Sequence, residues 1–101
     1  MSERIVMAIV EEELQFSLDE LCRACHAREE QVRVWVDEGV LTPLGESPTE
    51  WRFAGASLRR ARLALTLTRE LEINAPGVAL VLDLMDEIEA LKASLRRRSA
   101  R

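Results

Sequence analysis

The last third of the chain carries apolar side chains at Val81, Leu84, Ile88, Leu91 and Leu95, three and four residues apart in alternation. On a helix that spacing draws one narrow stripe, the a/d seam of a two-helix contact, about two heptads long. Asp83, Asp86, Glu87 and Glu89 lie between the stripe residues and predict a solvated face around it. A helix with so narrow a stripe does not finish folding inside a small core. It needs something to lie against, and the usual partner is a second copy, so the seam predicts a homodimer. The alternative is that the stripe packs back on its own domain. Leu80, Leu82 and Met85 widen the apolar face near the start, which predicts that this end packs on its own domain. Arg96, Arg97, Arg98 and Arg101 close the chain, where cations complement a helix C-terminus.

Upstream of the seam the punctuation is clear. Asn74-Ala75-Pro76-Gly77 breaks the chain. Asn74 or Ala75 can cap, and Pro76 suits a first helical turn. Residues 56–73 read as a helix, with Leu58, Ala61 and Leu65 beside Leu63, Leu67 and Leu71 forming a broad apolar stripe. Nearer the N-terminus, Ser17 and Glu20 spell a capping box before Leu18, Leu21 and Cys22. This predicts a short helix from about Leu18 to Cys25, with His26 and Ala27 as the turn. A second helix over residues 28–38 follows, with Val32, Trp35 and Val36 on one face and Gly39 as its stop. Two short helices on a tight turn make a helix-turn-helix. Pro43, Gly45, Ser47 and Pro48 then sit between β-prone Val40 and Leu41 and β-prone Trp51 to Phe53, predicting a small hairpin, or wing. Residues 4–16 are rich in β-branched side chains and suggest a strand, with a helix as the open alternative.

The expected fold is therefore mainly α. A winged helix-turn-helix-like part with a small β wing spans residues 1–55. A helical region over residues 56–101 adds two longer helices, the last forming the dimerisation seam. With 101 residues, 48% of them hydrophobic, the two parts are expected to share one modest core.

Charge and residue types exclude several functions. The net charge is −4. A winged helix-turn-helix is a DNA-reader layout, yet its second helix offers Arg28, Gln31 and Arg33 against Glu29, Glu30, Asp37 and Glu38. The wing sets Arg52 against Glu46 and Glu50. Only Arg59, Arg60 and Arg62 form a compact basic patch. Phosphate neutralisation needs more than this, so direct nucleic-acid binding is not expected. Cys22-Arg23-Ala24-Cys25-His26 matches the attachment signature of c-type haem, with Met85 as a formal sixth ligand. No export signal accompanies it, and both cysteines continue an ordinary apolar helix face with Leu18 and Leu21. They are expected to be core residues, and no cofactor or metal is expected. One His, no Tyr and no nucleophile-base arrangement argue against an enzyme. The apolar run over residues 5–10 is shorter than the roughly 7–15 residues of a secretory core, and no stretch approaches the roughly 20 apolar residues of a membrane span. A cytoplasmic protein with reduced thiols is expected.

Arg69-Glu70-Leu71, Asn74 to Leu80 (NAPGVAL) and Leu82 to Leu91 (LDLMDEIEAL), with Glu29-Glu30, Gly39-Val40, Pro43 and Trp51-Arg52-Phe53 before them, make a specific set. On these residues the chain from Phe16 onward resembles the bacterial chaperone-modulator family CbpM. The resemblance implies a protein that binds the J-domain of a DnaJ-like, nucleoid-associated co-chaperone of the CbpA type. It further implies inhibition of that partner's co-chaperone activity on the Hsp70 DnaK and of its DNA binding. J-domains present a basic helix, so an acidic surface drawn from Asp37, Glu38, Glu70, Glu72, Asp83 and Asp86 is the expected contact. Nucleoid association would then come through the partner. The front half is also similar to MerR-type winged helices, with Arg33 and Trp51-Arg52 where that family tends to place them. The acidic second helix departs from a DNA-contacting version. The alternative function is a MerR-like DNA-binding transcriptional regulator.

Overall fold

Ser17 opens the first helix as its spacing to Glu20 predicts. In the computed structural model, which describes residues 14–100, the Ser17 hydroxyl accepts from the Glu20 N–H at 3.1 Å. The Glu20 carboxylate accepts from the Ser17 N–H at 2.8 Å. This closed capping box starts α1, Leu18–Cys25. Its hydrogen bonds hold the Glu20 carboxyl below the usual carboxylate range. The helix stops at His26, whose left-handed backbone (φ 57) lets its N–H reach the Cys22 carbonyl. Then α2, Glu29–Asp37, buries Val32 and Trp35. Gly39, at φ 79, turns the chain out of it, and the Val40 N–H returns to the Trp35 carbonyl at 2.8 Å.

The wing departs from its predicted pairing. Val40 and Leu41 form no strand, because both side chains are buried and a pleated strand would turn one of them outward. A single antiparallel bridge closes the loop instead, from Leu44 to Arg52, with N–H···O distances of 3.0 and 2.9 Å. Gly45 (φ 102) permits this closure: a Cβ there would stand 2.7 Å from the Glu50 carbonyl oxygen. Phe53 does enter a strand, but with a different partner. Gln15–Phe16 (β1) pairs antiparallel with Phe53–Ala54 (β2), Phe16 opposite Phe53. The strand expectation for residues 4–16 is met at its last two positions, and residues 4–13 lie outside the described residues.

Gly55–Glu70 form α3. Its buried line is Leu58, Ala61, Ala64 and Leu67, while Leu63 and Leu65 are half-buried. The two alanines let α1 and α4 approach closely. Leu71, expected on this stripe, falls beyond the helix and is exposed. The Asn74 side chain accepts from the Gly77 N–H at 2.9 Å and caps α4, Ala75–Ser99, with Pro76 in the first turn. Only Val78 and Leu82 of α4 are fully buried. Leu80 and Met85 therefore do not dock on the domain as expected: they are 60% and 40% exposed. Leu80 lies two residues beyond Val78, about 200° around the helix, and so points away from the core.

One core serves both halves of the chain, joining Leu21, Trp35, Phe53, Ala61 and Leu82 from five different elements. Trp51 stands edge-on to Phe53 with ring centroids 5.9 Å apart, both buried under the wing. Burying side chains of this size contributes about 1.5–3 kcal/mol each. The molecule measures 47 Å along its longest axis against 33 and 27 Å across, because α4 runs on past the core.

Candidate functional site

Arg60 organises one corner of the surface. From α3 its Nε donates to the Val40 carbonyl at 2.8 Å and its Nη1 to Asp86 at 2.7 Å. Its Nη2 lies 3.8 Å from Asp83. Two of the six predicted acidic residues, Asp83 and Asp86, are thus gathered around one arginine, while Asp37 and Glu38 lie at the end of α2, just before the Gly39 turn. Glu70 ends α3, and Glu72 lies in the turn that follows it. Their neighbour Arg69 donates to the His26 carbonyl at 3.2 Å, in the turn that precedes α2. All six carboxylates are exposed. Glu72 also carries a backbone duty, with φ 53 in the turn between α3 and α4.

The same contacts revise the basic patch. Arg60 is turned inward, with its side chain only 26% exposed, and is committed to Asp86. The patch expected from Arg59, Arg60 and Arg62 is therefore reduced. On α2, Arg33 is held by Glu29 at 2.7 Å. The outward positions of α2 are Glu30, Arg33, Val34 and Asp37, opposite the buried Val32 and Trp35.

The seam residues of α4 are open to solvent. Leu84, Ile88, Leu91 and Leu95 are 50–62% exposed, and Val81 is half-buried against the core. Leu80 lengthens this stripe, which from Leu80 to Leu95 runs about 22 Å along the helix. The cysteines behave as packing residues. Cys25 is buried and Cys22 half-buried, and burial pushes both thiols above their ordinary pKa. Among the described residues no group of three or more His, Cys, Asp or Glu is arranged to hold a metal ion. No helix among them is long and apolar enough to cross a membrane.

A family model described as MerR HTH family regulatory protein matches residues 16–98, in keeping with the helix-turn-helix, bridged wing and following helices. The chain is 41% identical over 97 residues to the chaperone modulatory protein CbpM of Coxiella burnetii, covering 95% of this chain and 92% of that protein. The chain belongs to the CbpM family of chaperone modulatory proteins. A CbpM of Pseudomonas putida is 34% identical over 80 residues, 79% of each chain. One of Pseudomonas entomophila is 31% identical over the same length and shares. Neither name is that of an enzyme.

Three residues that shape this CbpM surface escaped sequence reasoning. Arg60 gave no signal, since three arginines on one helix do not say which turns inward. Leu80 was assigned to the wrong side of α4. Val34 could have been found: with Val32, Trp35 and Val36 on the inner face, Val34 is left on the outer one.

Proposed function

We propose that this CbpM protein binds the J-domain of a DnaJ-like, CbpA-type co-chaperone and thereby inhibits its stimulation of Hsp70 and its DNA binding. The observation that carries this reading is the outward side of the helix-turn-helix. Where a DNA reader presents cations, α2 presents carboxylates and an arginine already paired with Glu29. Such a surface repels phosphate and suits a basic protein helix. Competition for that helix needs shape and charge but no chemistry. Asp37, Glu38, Glu70, Glu72, Asp83 and Asp86 are the candidate contacts. The site of action follows the partner: cytoplasmic, and nucleoid-associated where the partner is.

The protein acts as a homodimer in this account, through Val81, Leu84, Ile88, Leu91 and Leu95. The exposed stripe supports this because it is self-complementary in the antiparallel sense. With a two-fold axis between Glu87 and Ile88, Leu84 meets Leu91 and Leu80 meets Leu95 of a second copy, and the acidic first half of α4 lies along the basic second half of its partner.

The test is the ATPase of the Hsp70 stimulated by the CbpA-type protein. Adding this chain returns the rate to the unstimulated level at saturation. A stimulated rate that stays constant at saturating concentrations would contradict the proposal. A second reading, a DNA-binding regulator, is favoured by the winged fold and the MerR family match. It requires a mobility shift with genomic fragments at physiological salt and no affinity for the co-chaperone.

A further inference from the structure

The second helix of a helix-turn-helix is the element most exposed to a ligand, and its outer ridge here is Glu30, Val34 and Asp37, at i, i+4 and i+7. Val34 is 41% exposed, between two carboxylates. Arg33, beside the ridge, is paired with Glu29 at 2.7 Å. A groove of about 270 Å³ adjoins them, between the start of α1 at Ser17 and Asp19, the Glu29–Arg33 pair, and the wing tip at Pro48 and Thr49.

We propose that this ridge and groove form the docking surface for one basic amphipathic helix of the protein partner. The inference rests on the J-domain reading above and places its centre on α2. A cationic residue of the incoming helix meets Glu30, another meets Asp37 two turns on, and an apolar side chain between them covers Val34. The Glu29–Arg33 pair and the wing tip bound the contact on one side and fix its register. A DNA backbone laid along the same line would meet like charge at both ends of the ridge, and the one cation between them, Arg33, is already paired with Glu29. Of the acidic candidates, Asp37 then lies in the contact and Glu38 beside it.

The experiment titrates the full-length co-chaperone into the full chain and into three variants. These are Glu30→Lys with Asp37→Lys, Val34→Asp, and the control Glu87→Lys with Glu89→Lys, two exposed carboxylates of α4 outside the proposed contact. The first is expected to weaken binding at least tenfold and the second at least threefold, with the control within threefold of the unaltered chain. A photo-crosslinker replacing Val34 in an otherwise unaltered chain is expected to capture the co-chaperone, which keeps the test valid should a substitution disturb folding. Ridge variants that bind within twofold, or a crosslinker that captures nothing while binding persists, would overturn the inference. An unaltered chain that does not bind the co-chaperone would instead remove the J-domain reading itself, and the inference with it.

Discussion

Ser17 shows how much one residue can decide. Its hydroxyl and the Glu20 carboxylate satisfy two backbone donors that the start of α1 leaves open. Ser17→Ala should cost about 1 kcal/mol, the usual loss of an N-cap, read as a lower urea midpoint with unchanged slope. The box also sets a pH dependence. The folded Glu20 carboxyl titrates below its ordinary value of 4.5, so its stabilisation is complete above that pH. It is lost as the pH falls through the lowered folded value. The difference between the parent and Glu20→Gln should therefore shrink in acid below about pH 4.5. A difference that grows there would contradict the box. Trp35 makes a second case. It is fully buried, and its indole N–H has no hydrogen-bond partner. Trp35→Ala should cost about 3–5 kcal/mol through the cavity it leaves. Trp35→Phe should cost much less, because it removes an unpaired buried donor. Denaturant melts of the two variants check this, and equal losses would refute it. Capping residues, the Gly39 stop and the buried Trp35 face are legible in sequence because each is a local rule. Arg60 is not, since its partners Val40 and Asp86 are 20 and 26 residues away.

At the scale of elements, Arg60 ties the exit of α2 and the docked part of α4 to α3. Arg60→Met should cost about 1–2 kcal/mol, chiefly by leaving the Val40 carbonyl without its charged donor. Asp86→Asn should cost less than about 1 kcal/mol, because its carboxylate is largely solvated. Equal losses for the two would shift the weight to the ion pair. The four described helices were legible in sequence to within a few residues, since periodicity and caps agree along each. The wing was not. Val40, Leu41 and Phe53 are β-prone by type, but each is claimed by the core. Phe53 pairs with Phe16, 37 residues back, instead of across the loop. Strand pairing is a tertiary choice that local propensity does not determine.

The whole molecule is a winged core with an unfinished helix. The candidate site was legible only in part. Charge balance marked α2 as unsuited to DNA, but the placing of Asp83 and Asp86 beside Arg60 depends on the packing of α4 against α3. The α4 stripe was legible as a seam, and its extension to Leu80 was not, because spacing alone does not say which side of α4 meets the core. Ile88→Glu with Leu91→Glu should convert a dimer to a monomer in sedimentation, with the fold intact by circular dichroism. An unchanged sedimentation coefficient would contradict the seam. On the proposed function this chain recognises a basic protein surface and not DNA. Calorimetric titration of the CbpA-type co-chaperone into the chain, at low and at physiological salt, tests it most directly. Saturable binding that tightens as ionic strength falls is the predicted result. No binding at either salt, alongside a genomic DNA shift at physiological salt, would contradict it.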